Sequence, residues 1–472
     1  MNLSSAVHQE IFRIISISAQ KIKQNSYVIG GYVRDFLLGI MNSKDLDILT
    51  IGEGIKLAQE VSKYMIPFPK IIIFKRFGTA MLKYNNQKIE FVGSRKESYH
   101  FYSRKPIIEL GSLQDDQKRR DFTINALAIS LNHNNYGELI DPFGGFMDLK
   151  KKILRTPLDA NITYSDDPLR MMRAIRFATQ LQFEIEKDSF QSIQKNKDRI
   201  NIVSIERIME EFNKILLSEK PSIGLFLLYE SGLLSIILPE LVSLKGIEKK
   251  NGYKHKDNFY HTLQVVDNIS KEKNSSLWLR WVALLHDIGK TSTKKFFPKI
   301  GWSFHDHEFV GSKMVINIFQ RLKLPKGSYM KYVQKMILYS YRPIALIGNH
   351  PRDSAIRRLL FDIGNDLEDL MKLCIADITT NNIEKKNQYK KNIFTLIERI
   401  RKLEAKDKIK NWKSPISGND IMKTFHIDPC RKIGIIKDFV KDSILEGKIS
   451  NNFHSAYLLM LKKGEELGLK KK

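Results

Sequence analysis

Two patterns of apolar residues divide this chain. Near the amino terminus they alternate or cluster in short runs, and beyond about Pro142 they mostly recur at helical spacing. Val7, Ile11, Ile14 and Ile15 predict an amphipathic core helix. Tyr27-Val28-Ile29 is a β-prone run that ends at Gly30-Gly31, and Tyr32 to Leu38 predicts one or two helical turns closed by Gly39. Asp45-Leu46-Asp47-Ile48-Leu49 predicts a second strand, with Leu46 and Ile48 buried and Asp45 and Asp47 side by side on the other face. A helix over Lys56 to Met65, a buried strand over Ile71 to Phe74 and a strand over Phe77 to Leu82 follow. After a turn at Asn85-Asn86, Ile89 to Val92 predicts the hairpin partner, with Glu90 facing opposite to Ile89 and Phe91. Residues 93–118 have little periodicity and predict a loop.

Further on, Asp167 is a good cap for a helix opened by Pro168 and running to about Phe183. In it Arg170, Arg173 and Arg176 recur every three residues as a basic stripe. Ile205 to Leu216 predicts an amphipathic helix in which Glu206, Arg207 and Glu211 are suited to structural ion pairs. Residues 384–412 predict a solvated helix with Ile393, Leu396, Ile397 and Ile400 at helical spacing. A terminal helical segment carries Tyr457 to Met460 and the tail Lys470-Lys471-Lys472.

Composition sharpens this picture. A chain of 472 residues has room for two to four domains. Its formal net charge of +26 points to polyanionic partners, nucleic acid first, although a broad bias toward Lys, Ile and Asn accounts for part of it. No apolar run approaches the ~20 residues that span a bilayer. Two cysteines, Cys374 and Cys430, provide no disulfide framework and fit a reducing cytosol, so a cytoplasmic location is expected.

The acids of the first part carry candidate chemistry. Asp45 and Asp47 at i and i+2 repel unless a cation lies between them. Gly30 and Gly31 allow backbone N–H groups to approach a phosphate at a helix start. Glu90, an acid in an apolar strand, supplies the third anionic ligand that a two-metal phosphoryl-transfer centre needs. Arg119 and Arg120 suit phosphate oxygens, and Asp121 and Asn125, one helical turn apart, suit a ribose. Asp167 and Arg170 can share a helix face. Cytosine and adenine both present an amino donor beside a ring-nitrogen acceptor, whereas guanine and uracil present the reverse. A carboxylate beside a guanidinium therefore accepts C and A and rejects G and U.

These stretches resemble one family. GGYVRDFLLG followed by DLD, FGTAMLKYNNQKIEFVGSRKESY, KRRDFTINALAIS, SDDPLR and IERIMEEFNKIL are similar to motifs of the class II tRNA nucleotidyltransferase and poly(A) polymerase family, within the polymerase-β-like superfamily. The match departs from the family's nucleotide-selecting motif at Asp166, where the family has Glu. A second resemblance lies in His261, His286-Asp287 within HDIGK, and Asp377, whose order is that of HD-superfamily phosphohydrolases. His307 fits a further histidine of two-metal relatives, but Ser340 stands where another is expected, which favours one metal over two.

The resemblance implies an α/β nucleotidyltransferase head with a mixed sheet over residues 1–140, a helical neck over 141–250, an HD domain over 251–385 and a helical tail over 386–472 that contacts tRNA. The expected activity is template-independent addition of C and A to the 3′ end of tRNA from CTP and ATP, with HD phosphohydrolase activity beside it. The alternatives are a poly(A) polymerase, a CC-only or A-only adding enzyme, or an HD phosphohydrolase whose head only binds nucleotide. Asp45, Asp47 and Glu90 would be catalytic and hold two Mg²⁺ ions. Gly30, Gly31, Arg34, Arg120, Asp121, Asn125, Asp167, Arg170, Arg173 and Arg176 would bind nucleotide. His261, His286, Asp287 and Asp377 would hold a divalent transition metal. No membrane and no obligate protein partner are implied.

Overall fold

The structure is a computed structural model that describes residues 1–471 apart from 41–44, 76–77, 86, 99–106, 348–350 and 408–413. The predicted positions Phe77, Asn86 and Lys472 therefore lie outside the described residues. Two compact units divide at Pro239 and Glu240. Among the described residues no helix is long and apolar enough to cross a membrane.

The first unit is built on a seven-stranded mixed sheet. Its strands are β1 (Asn25–Ile29), β2 (Asp45–Ile51), β3 (Ile72–Phe74), β4 (Thr79–Tyr84) and β5 (Gln87–Gly93), with β6 (Arg95–Ser98) and β7 (Ile107–Leu110) forming a separate pair before β8 (Ala128–Ser130) and β9 (Leu139–Ile140). The order across the sheet is β3-β4-β5-β2-β1-β8-β9. β2 runs antiparallel to β1 and parallel to β5. That parallel pair needs a crossover, which α3 (Gly54–Ser62) supplies by packing Leu57, Ala58 and Val61 into the core. α1 (Glu10–Lys21) buries Ile11, Phe12 and Ile15, as its spacing predicts.

Two expectations change here. β3 is an edge strand with Ile72, Ile73 and Phe74 all exposed, because it pairs only with β4. Residues 93–118 are not one loop: they hold β6, β7 and α4 (Leu113–Lys118), whose Ser112 and Asp115 form a reciprocal capping box.

Helices take over after Asp141, whose carboxylate accepts from Gly145 N at 2.7 Å and Phe146 N at 2.9 Å and so starts α5 (Gly145–Lys151). α6 (Ala160–Asp166) and α7 (Leu169–Leu181) follow, α7 burying Met171, Met172, Ile175 and Ala178. Asp167 Oδ1 accepts from Leu169 N at 3.3 Å, the expected helix-start role. Helix Ile205–Leu216 packs beside α7.

The second unit is largely helical. Helices Asn258–Ser270, Leu277–Leu285, Ser328–Tyr339 and Leu367–Ala376 surround buried Val265, Val266, Trp281, Leu284, Met336 and Leu370. Short two-stranded ribbons at 249–254 and 295–303 interrupt the expected all-helical pattern. The long helix Ile383–Asp407 is not wholly solvated, since Ile393 and Ile400 are buried. A separate core near the carboxyl terminus joins Ile421, Phe425, Ile436, Val440 and Met460. Both cysteines are free thiols.

Candidate active site

β2 and β5 place the acids of the head. Asp47 is the register partner of Glu90, and Asp45 that of Lys88. Leu46 and Ile48 on β2, with Ile89 and Phe91 on β5, are buried behind them, so one pleat sorts the acids onto a single open face. Burial raises the pKa of Asp47, Asp45 adds to the rise, and Arg120 opposes it. Burial also raises Glu90, with Asp47 as the next cause. A pair of carboxylates disfavoured in their charged form is the donor set that a divalent cation stabilises. The three acids do not form a trio with ligand atoms all within 4.8 Å of one another, as the second unit's His–Asp group does among the described residues.

Gly30 sits directly beside these acids. Its φ of +85° lies where side chains are strained, and a Cβ there would come within 2.9 Å of Arg120 Nη1 and 3.5 Å of Asp47 Oδ2. Glycine thus lets the turn before α2 (Gly31–Leu37) close onto Arg120 and Asp47. Gly31 opens that helix, and Arg34 on it donates to Asn125 Oδ1 at 2.8 Å and pairs with Asp35 at 2.7 Å. Arg120 is steadied by Asp116, Nε to Oδ2 at 3.2 Å.

Asp121 and Asn125 come together as expected, but facing each other: Asn125 Nδ2 donates to Asp121 Oδ1 at 3.0 Å and both are buried. The other Asp121 oxygen receives Arg173 Nε at 2.7 Å and Nη2 at 2.5 Å. Burial opposes the Asp121 charge, but Arg173 and Asn125 outweigh it and hold its pKa at about 2. Arg176 is likewise engaged, with Glu211 and, at 2.9 Å, Gln180, above the Phe177 ring. Arg170 donates through Nη2 to the Arg119 carbonyl at 2.6 Å and lies within 3.5 Å of the Thr163 carbonyl. A guanidinium has five donors, and these two contacts use only two of them.

The second unit brings three of its four predicted ligands into one group, with Asp287 beside them. His261, His286 and Asp377 offer ligand atoms all within 4.8 Å of one another. His261 Nε2 lies 2.8 Å from Asp377 Oδ1, and His286 Nε2 lies 3.5 Å from both Asp377 Oδ1 and Asp287 Oδ2. Asp287 pairs with Lys290 at 2.6 Å and stands 3.6 Å from His307 Nε2. Burial lowers the pKa of His261. It opposes the charged form of His286 too, but the Asp287 and Asp377 carboxylates outweigh it and raise that pKa. Ser340 is buried and caps its own helix by donating to the Ile337 carbonyl at 2.8 Å.

Several residues beside these sites escaped sequence reasoning. Asp116 is fully buried between Arg119 and Arg120, and its spacing of three and four residues from them was the available signal. Glu97 reaches Arg119 at 3.3 Å across a long sequence separation that no local pattern reveals. Lys256 places its ammonium 3.0 Å from His261 Nδ1, and nothing in its neighbourhood marks it.

Known proteins are similar to this chain over most of its length. Residues 26–155 match the Poly A polymerase head domain, residues 182–244 the probable RNA and SrmB-binding site of polymerase A, and residues 258–382 the HD domain. The A-adding tRNA nucleotidyltransferase of Deinococcus radiodurans is 32% identical over 68% of this chain and 73% of its own length. The multifunctional CCA protein of Vibrio parahaemolyticus is 30% identical over 74% of this chain and 84% of its own. A CCA-adding enzyme solved with ATP shares the fold at a TM-score of 0.65 and 20% identity, covering 99% of both chains. A nucleotidyltransferase of this fold uses divalent metal. The chain belongs to the tRNA nucleotidyltransferase family and is an enzyme of that type.

Proposed function

We propose that this enzyme adds C and A to the 3′ end of tRNA without a nucleic-acid template, taking them from CTP and ATP. One observation carries the reading: Arg170, the candidate base reader on α7, is bonded to the backbone of Arg119, next to the Arg120 that stands over Gly30 and Asp47. Base selection and phosphate chemistry thereby share one scaffold. The family names of the relatives support tRNA as the acceptor.

Asp45, Asp47 and Glu90 would hold two Mg²⁺ ions, which when bound neutralise phosphate charge and acidify the RNA 3′ hydroxyl. Arg120, close to Gly30 and Asp47, and the Gly30-Gly31 backbone would orient the triphosphate for in-line attack at the α-phosphorus, with pyrophosphate leaving. Asp167 and the remaining Arg170 donors would read the base edge. Arg173 holds Asp121, and through it Asn125 and Arg34, and this network of four would lie beside the nucleotide. Arg176 ties the same helix to Glu211. The second unit would add a metal-dependent phosphohydrolase centre built from His261, His286, Asp287 and Asp377. A cytoplasmic location and a tRNA-contacting basic tail complete the proposal.

The Deinococcus relative is an A-adding enzyme, which favours a second reading, addition of the terminal A alone. Incubation with tRNA transcripts ending in the discriminator base, C or CC, each with a single labelled triphosphate, separates the two. Extension of all three transcripts supports full addition. Extension of the CC transcript alone supports the second reading, and extension of none rejects both.

A further inference from the structure

The three imidazoles of the His–Asp centre do not have equivalent partners. His286 Nδ1 lies 2.8 Å from the Ala283 carbonyl, which only accepts, so Nδ1 carries a proton and Nε2 is the nitrogen that points inward. That Nε2 is fully buried and, among the described residues, has no hydrogen-bond partner, the carboxylates of Asp287 and Asp377 standing 3.5 Å away. His307 is arranged alike, its Nδ1 2.9 Å from the Phe304 carbonyl. Metal-binding histidines characteristically use their second nitrogen this way.

His261 is the opposite case. Its Nδ1 faces the Lys256 ammonium at 3.0 Å and the Thr379 hydroxyl at 2.9 Å, and Lys256 also contacts Thr379. An ammonium has three donors and no acceptor. Nδ1 must therefore accept, which leaves the proton on Nε2, aimed at Asp377 Oδ1 at 2.8 Å. The nitrogen a metal would need is thus a donor, bonded to the carboxylate a metal would share. Lys256 also lines a cleft of about 550 Å³ with Asp377, Thr379 and Asn381, which gives its flexible side chain somewhere to withdraw.

We infer that Lys256 is a built-in competitor of the metal: its cation holds His261 in the non-ligating tautomer and repels a dication, so that the His–Asp centre binds divalent metal weakly. This rests on the reading of His261, His286 and Asp377 as metal ligands. Replacing the ammonium by an apolar side chain of similar length removes both the donor and the repulsion. Thr379 then remains as a hydroxyl that can accept from Nδ1, and the tautomer can reverse.

The test is calorimetric titration of Co²⁺ into the full chain carrying Asp45→Asn and Asp47→Asn, which silences the head acids, with and without Lys256→Met or Lys256→Arg. Lys256→Met should bind Co²⁺ about 10- to 100-fold more tightly than the Lys256 parent, and Lys256→Arg should match the parent. Equal binding by the parent and Lys256→Met overturns the competition and leaves the metal reading standing. Absence of binding in all three overturns both. Nitrogen-15 NMR of labelled histidine in the metal-free wild type provides a readout independent of any variant. A proton on His261 Nε2 is the expected result, and a proton on Nδ1 overturns the inference.

Discussion

Arg173 grips one oxygen of Asp121 with two nitrogens, at 2.7 and 2.5 Å, and so ties helix α7 to the buried turn that carries Asn125. The pair joins a residue of the sheet-bearing part to one of the helical part within the first unit.

The pH dependence of stability follows from that pair. The folded Asp121 pKa of about 2 lies below the ordinary 3.8. Its contribution, about 2 kcal/mol, is therefore fully present above the unfolded value and is lost as pH falls through the folded one. Urea unfolding of the wild type should weaken between about pH 4 and pH 2. Asp121→Asn should unfold more easily at pH 7 and show a shallower loss over that window. A variant as stable as the wild type at pH 7 would contradict the role assigned to the pair.

Asp47→Asn separates chemistry from folding. Burial disfavours the Asp47 charge, so the neutral amide should leave the thermal midpoint in a chelator equal to or above that of the wild type. Nucleotide incorporation at saturating Mg²⁺ should fall by at least about 100-fold. Residual activity above a few per cent would remove Asp47 from the metal site.

Base choice tests Asp167 and Arg170. Each hydrogen bond to a charged group contributes ~1.5–3 kcal/mol, so losing one should cost on the order of 10- to 100-fold in discrimination. Arg170→Ala and Asp167→Ala should each let UTP and GTP compete on a tRNA ending in C. Relative incorporation of the four triphosphates is the measurement. An unchanged preference in both variants would return the pair to a purely structural helix start.

Gly145 tests the packing behind Asn125. A Cβ at this position would lie 2.3 Å from the Thr123 carbonyl oxygen, and backbone cannot rotate away as a side chain can. Gly145→Ala should cost about 1–3 kcal/mol in urea unfolding. No loss of stability would show that α5 shifts freely on that turn.

The strands and their acids were legible because alternation and a register partner need only local pattern: Leu46 and Ile48 inward place Asp45 and Asp47 outward without further information. The grouping of His261, His286 and Asp377 was legible through the resemblance of their order along the chain to HD-superfamily proteins. What escaped notice depended on distance along the chain. β6 and β7 pair through residues of mixed polarity, and the engagement of Arg173 by Asp121 joins positions that no short pattern connects. Ile72 and Phe74 read as buried because an apolar triplet does not reveal whether its strand has one neighbour or two.

The parallel pairing of β2 with β5 also bears on how the molecule comes into being. Asp47 and Glu90 become neighbours only after the chain between them has folded back through α3 and the β3–β4 excursion. Contacts of that kind form slowly, since loop closure precedes the gain from pairing. A nascent or partly unfolded head, still lacking this ladder, therefore has these candidate metal-binding acids dispersed. The pairing of the two acids is thus a property of the completed ladder, which no local segment of the chain forms alone.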